Sequence, residues 1–176
     1  MGVYRASFNG KYAGLAWDFQ VNPDSCGNHS HYENYLRTMA GTDYRTGKGN
    51  TYIFVDDSND ENHKIIGYFT MRASSLIIKS GGDMNGRSAV EITELAVDRS
   101  YEKQGYGRLL VEWAFAIADD VRKQYIGVEY ILVCAVPEAI LFYEKMGFGK
   151  VQAYEEIPRE GWNQNCVPML VKLSEV

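Results

Sequence analysis

Val97-Asp98-Arg99-Ser100-Tyr101-Glu102-Lys103-Gln104-Gly105-Tyr106-Gly107 stands between an apolar run that reads as a strand and an amphipathic run that reads as a helix. A glycine-bearing loop opening onto a helix suits a pyrophosphate, because the first backbone N–H groups of a helix have no partner and the helix dipole favours an anion. Gly105 and Gly107 let the backbone approach a phosphate with no side chain in the way. Leu109, Leu110, Trp113, Ala114, Ile117 and Val121 recur at helical spacing, with Arg108, Glu112, Asp119 and Arg122 mostly off that face. The predicted helix ends near Gln124, before Gly127.

Two other phosphate-binding loops do not fit. A dinucleotide fold needs a third glycine three residues after Gly107, where Leu110 stands, and a tighter strand-to-glycine junction than residues 98–104 allow. A nucleotide triphosphate loop needs Gly-Lys-Ser/Thr, which this chain lacks.

Read outward from the loop, the chain resembles the GNAT superfamily of acyl-CoA-dependent N-acetyltransferases. The family pattern is a strand ending Leu-Ala-Val, a loop Arg/Gln-x-x-Gly-x-Gly/Ala, a long helix, a strand, then Ala-x-x-Phe-Tyr-Glu-Lys-x-Gly-Phe. Here these stand as Leu95-Ala96-Val97, residues 102–107, the helix to Gln124, residues 130–135, and Ala139-Ile140-Leu141-Phe142-Tyr143-Glu144-Lys145-Met146-Gly147-Phe148. They cover about residues 90–150 in the family's order. Two positions depart from it: Glu102 replaces the usual Arg or Gln, and Val136 replaces an Asn that often hydrogen-bonds the cofactor.

The resemblance implies an α/β GNAT fold, with a central mixed, mostly antiparallel sheet splayed at an acyl-CoA cleft and helices on both faces. It implies acetyl-CoA as co-substrate, no metal, and cofactor contacts from Leu95, Ala96, Val97, Lys103, Gln104, Gly105, Tyr106, Gly107, Arg108, Phe142 and Lys145. Backbone N–H groups near Leu95 and Val97 would polarise the thioester carbonyl.

Length and composition fit one enzyme-sized domain, long enough to bury a core without disulfides or metal, and the resemblance makes residues 1–176 a single N-acetyltransferase domain. No run approaches a membrane span, and residues 1–14 lack the apolar core of a signal peptide, so a cytoplasmic protein is expected. Cys26, Cys134 and Cys166 read as reduced thiols, and Cys26, His29 and His31 lack a fourth metal ligand. Elsewhere the patterning predicts strands over residues 12–19, 51–55, 65–71 (extending or resuming at 75–79), 89–97, 129–136, 148–153 and 167–173. It predicts helices over 28–40 and 137–146. Residues 41–50 and 80–88 read as loops, 56–61 as an acidic turn, and a further loop holds Pro158, Gly161 and Trp162.

The reaction expected is attack of a free amine on a thioester carbonyl. A lysine-like amine near pKa 10.4 is neutral in about one molecule per thousand at pH 7, whereas an α-amine near 7.7–8.0 is already substantially neutral. Glu91 is the candidate base, since histone-type members carry a catalytic Glu six residues before the position of Val97; Glu94 falls on the opposite face unless the strand bulges. Tyr143 is the candidate acid, because the family's Phe-Tyr-Glu tyrosine lies near the CoA sulfur and can return a proton to the thiolate. Both also suit structural duty, as a salt-bridged strand-end acid and a core aromatic.

The acceptor stays open between a small-molecule amine, a peptide amine and something larger. Asp24-Ser25-Cys26-Gly27, Tyr35-Leu36-Arg37 and Ile66-Gly67-Tyr68-Phe69-Thr70-Met71-Arg72-Ala73-Ser74-Ser75 resemble the toxin branch of the family, which acetylates the α-amine of aminoacyl-tRNA. Charge disfavours tRNA, with 18 Lys and Arg against 23 Asp and Glu, although residues 1–88 hold nine of each sign and a patch of Arg37, Arg45, Lys48, Arg72, Lys79 and Arg87 is available. A non-catalytic acyl-CoA-binding regulator is a third reading, against which Tyr143 speaks, and the resemblance allows a homodimer.

Overall fold

The computed structural model describes residues 2–58, 62–80, 83–151 and 166–175. In chain order its elements are β1 (Val3–Ser7), α1 (His29–Asn34), a π-helical stretch (Tyr35–Met39), α2 (Ala40–Thr46), β2 (Asn50–Asp56), β3 (Lys64–Ser80) and β4 (Asp83–Val97). There follow α3 (Tyr106–Gln124), β5 (Tyr130–Ala135), α4 (Ile140–Lys145), β6 (Gly149–Lys150) and β7 (Val167–Lys172), with short 3-10 turns between. The strand order is β1-β2-β3-β4-β5-β7-β6, and β4 pairs with β5 in parallel. Compactness divides the chain into Met1–Arg72 with Thr93–Trp113, and Ala73–Ile92 with Ala114–Val176.

In the first unit, β1 and β3 flank β2, both antiparallel to it. Alternation along β2 and β3 sends side chains to two faces. Ile53, Val55 and Tyr68 join Phe8, Tyr12, Ala16, Phe19, Tyr35 and Leu36 in one buried cluster. On the other face Trp113 of α3 lies 5.3–5.4 Å, ring to ring, from Tyr52, Phe54 and Phe69, and the Arg5 guanidinium sits 5.2 Å over it. α3 and β4 both press on β3 at Gly67: a β-carbon there would lie 2.9 Å from the Ala96 carbonyl and 3.0 Å from Leu110 Cδ1.

In the second unit, β4 and β5 pair in parallel from Ala89↔Tyr130 to Ile92↔Val133. β5 continues against β7 to Ala135↔Val167, and β6 pairs with the far side of β7. Ile131, Leu132 and Val133 are buried, and the Phe115, Tyr143 and Phe148 rings form a chain with centroids 5.4–5.6 Å apart.

Several expectations are corrected. The first strand is Val3–Ser7; in place of a strand over 12–19 stand 3-10 turns at Gly10–Tyr12 and Leu15–Trp17, and Tyr12, Ala16 and Phe19 reach the core. The helix begun near residue 28 runs on to Thr46 through the π-helical stretch, over residues expected to be loop. β4 already starts at Asp83, so most of the expected 80–88 loop is strand. Within α3, Leu109 is 40% exposed and Val111 takes its place in the core. Cys134 and Cys166 form a disulfide, against the reduced thiols expected. Residues 59–61 of the acidic turn, residues 152–153, and the loop with Pro158, Gly161 and Trp162 lie outside the described residues. Among those described, no helix is long and apolar enough to cross a membrane, and no three His, Cys, Asp or Glu side chains gather as a metal cage.

Candidate active site

The loop that opens α3 is held from behind by polar contacts from residues 20–25. Buried Asp98 accepts hydrogen bonds from the backbone N–H groups of Ser100 and Gln20, each at 2.9 Å, and the Arg99 N–H donates to the Gln20 carbonyl at 2.8 Å. The Tyr101 hydroxyl donates to Asp56 at 2.8 Å, and burial together with that carboxylate pushes the phenol up to about 12. The Gln104 amide donates to the Ser100 carbonyl at 3.1 Å. Positive φ occurs at Lys103 (60°) and Gly105 (87°), so the backbone turns into the helix there. Gly107 lies inside the first turn of α3 and does not share that conformation.

Glu102, which stands where the family pattern has Arg or Gln, is drawn aside. Its carboxylate accepts from Asn22 Nδ2 at 3.0 Å and Ser25 Oγ at 3.1 Å. Arg108 is exposed at the start of α3 and bonded to Glu112 at 2.7 Å, so an arriving phosphate has a carboxylate to displace. Lys103 is exposed as well.

Of the two β4 acids, Glu91 is 3% exposed and accepts from Ser74 Oγ at 3.2 Å. Glu94 turns to α1, where both carboxylate oxygens lie 3.0–3.1 Å from His31 Nε2. The Glu94 hydrogen bond raises the His31 pKa, and partial burial of the ring opposes it. The stability this pair contributes is therefore complete below about pH 6.5, the unfolded value, and is lost as pH rises through the raised folded value. Urea unfolding across pH 6–9 is expected to show that decline, and His31→Gln to remove it. Leu95 and Val97 are half-buried and Ala96 is buried.

The α4 residues have a mixed setting. Tyr143 is buried, its ring 5.0 Å from Phe142 and 5.4 Å from Phe148, while Lys145 is exposed. The Phe148 N–H returns to the Tyr143 carbonyl at 3.0 Å and closes the helix.

The Acetyltransferase (GNAT) domain family model matches residues 48–150, more than half of the chain. The chain belongs to the GNAT acetyltransferase family. It is an acetyl-CoA-dependent N-acetyltransferase, as its family resemblance over about residues 90–150 implied. No curated protein matches it in sequence. Among solved structures this acetyltransferase is similar to a tyrosine-to-phenylalanine mutant of the AtaT toxin bound to the C-terminus of the antitoxin AtaR and acetyl-CoA. That match has 17% identity, covers 99% of this chain and 96% of the other, and has a TM-score of 0.75. A tyrosine-to-phenylalanine mutant of KacT matches at 16% identity, covering 99% and 97%, with a TM-score of 0.77. AtaT complexed with acetyl-methionyl-tRNAfMet matches at 19% identity, covering 98% and 96%, with a TM-score of 0.74. At such identities these likenesses establish the fold.

Sequence reading missed three features of this acetyltransferase: Asp98 as the anchor of the loop, the contacts of residues 20–25, and the His31–Glu94 pair. Only Asp98 carried a local signal, as an acid two residues before Ser100 at a strand end.

Proposed function

We propose that this acetyltransferase transfers the acetyl group of acetyl-CoA to the α-amine of aminoacyl-tRNA. The observation that carries this reading is the end-to-end likeness to AtaT complexed with acetyl-methionyl-tRNAfMet, which spans 98% of this chain and 96% of that one. The toxin-like phrases around Cys26 and Tyr68 support it. In this reading Leu95, Ala96 and Val97 pair through their backbone with the donor, and the loop from Lys103 through Gln104, Gly105, Tyr106 and Gly107 to Arg108 receives its pyrophosphate. Phe142 and Lys145 flank the cofactor, and Tyr143 returns a proton to the departing thiolate.

A second reading, transfer to a small-molecule or peptide amine, is favoured by charge. The net charge is −5, and part of the expected basic patch is already engaged. Arg37 donates to the Ala16 and Phe19 carbonyls at 3.2 and 2.7 Å and pairs with Glu33; Arg87 pairs with Glu129 at 3.4 Å. The test is transfer of labelled acetyl from acetyl-CoA to bulk aminoacyl-tRNA beside a panel of small amines and peptides. Label on charged tRNA supports the first reading; label on small amines or peptides alone replaces it with the second.

Glu91 is the base that the family resemblance offers for strongly basic amines. Glu91→Gln is expected to lower transfer to any lysine-like amine of that panel about 10²-fold at pH 7 and to restore it as pH rises. An unchanged pH profile removes Glu91 from the mechanism.

A further inference from the structure

We infer that His31, held by Glu94, is the group that takes the proton from the acceptor's ammonium, and that the acceptor is a weakly basic α-amine. The inference rests on the acetyl-transfer reading above and names the base that an α-amine acceptor would use. Glu94 immediately precedes the Leu95–Val97 backbone, so a side chain bonded to it stands beside the segment assigned to the thioester. The Glu94 side chain is 12% exposed and that of His31 44%, which leaves the acid sheltered and the ring open to an incoming group.

The ring's surroundings fix its orientation. Tyr32 packs edge-on at 5.3 Å and Tyr35 lies 6.5 Å away, both from the same helical run, and Tyr68 of β3 stacks on Tyr35 at 6.2 Å. Glu94 faces it from β4, while Glu33, the nearby acid on α1, is turned to the Val21 N–H and to Arg37. With Nε2–H donated to Glu94, the neutral ring carries its lone pair on Nδ1. The helix also changes to π-helical winding at Tyr35, four residues on, a distortion common at functional sites.

The step balances. The acceptor R–NH3+ gives one proton to His31 Nδ1 and becomes R–NH2. Its lone pair forms the C–N bond, the C–S bond breaks, and the CoA thiolate takes a proton from Tyr143, which is replaced by the second proton leaving nitrogen. The products are the acetamide, CoA thiol and protonated His31, which releases its proton to water. A histidine base raised above its ordinary value of about 6.5 is matched to an α-ammonium near 7.7–8.0 and poorly matched to a lysine near 10.4. Glu94 acts through His31 and is a positioning residue.

The test has two readouts. NMR titration of the three histidines should find His31 above 6.5, falling in Glu94→Gln. Acetyl transfer is then followed from pH 6.5 to 9 with charged tRNA, an unblocked tripeptide and Nα-acetyl-lysine as acceptors. His31→Gln should lower kcat/KM for the α-amines about 10²-fold at pH 6.5 and much less at pH 9, where roughly 90% of an α-amine is already neutral. An equal loss at both pH values, or Nα-acetyl-lysine as the best acceptor, overturns the inference. So does a His31 titration that Glu94→Gln leaves unmoved. Transfer to the tripeptide but not to tRNA sinks the tRNA reading and upholds this one. No transfer to any of the three sinks both the acetyl-transfer reading and the inference built on it.

Discussion

Tyr143→Phe is expected to lower acetyl transfer about 10³-fold while acetyl-CoA still binds, within the 10²–10⁴ range typical of a positioned acid. A tyrosine near pKa 10 donating to a thiolate near 8.5 is mildly uphill, so the proton must be replaced from the ammonium of the tetrahedral intermediate as it leaves. Phenylalanine fills the same space between Phe142 and Phe148, and the ring is only 8% exposed, so the packing survives the loss of one oxygen. Calorimetric titration with acetyl-CoA and a thermal melt, both near wild type, would place the defect in chemistry. Loss of binding or of melting temperature in step with activity would instead assign Tyr143 to packing, and full activity would show that the thiolate takes its proton elsewhere.

Local periodicity made the second half of the fold legible. α3 occupies Tyr106–Gln124 as its three- and four-residue spacing required, and β5 and β7 follow apolar runs bounded by Gly127, Pro137 and the chain's last charged residues. The first half was harder, because its apolar residues are used three-dimensionally. Residues 12–19 carry apolar side chains at a spacing that two 3-10 turns satisfy as well as a strand would. Gly41 did not end its helix, since Ala40 is buried and Tyr35 ties back to Asp43 through a 3.0 Å hydrogen bond. Burial there pushes the Tyr35 phenol up to about 12.

Long-range pairing explains what was missed at the site. Glu102 is met by Asn22 and Ser25 from 80 and 77 residues away, and Glu94 by His31 from 63. The Cys134–Cys166 disulfide spans 32 residues and is set by the register that puts Cys134 opposite Pro168. The loop's backbone conformation is written locally, in a glycine such as Gly105. The carboxylates around it are assigned by partners that only the folded chain brings near.

Gly67→Val is expected to destabilise the protein by about 3 kcal/mol, the upper end of ordinary overpacking. The reason is what the new side chain meets. The Cβ alone would stand 2.9 Å from the Ala96 carbonyl oxygen, 3.0 Å from Leu110 Cδ1 and 3.4 Å from Val97 Cα, and two of those three atoms are backbone. Leu110 could rotate, but it is fully buried, and buried interiors are close-packed. β4 must therefore shift at Ala96 and Val97, the segment proposed to polarise the thioester. For a chain of this size the loss corresponds to a fall in melting temperature of about 6–12 °C. Below that temperature the shift should also raise the KM for acetyl-CoA, whereas Gly67→Ala should show the same two effects at smaller amplitude. A valine variant that melts with wild type would mean that β3 and β4 are less tightly apposed than 2.9 Å implies. A variant that is less stable but has an unchanged KM would separate the stability of this contact from the geometry of the donor site.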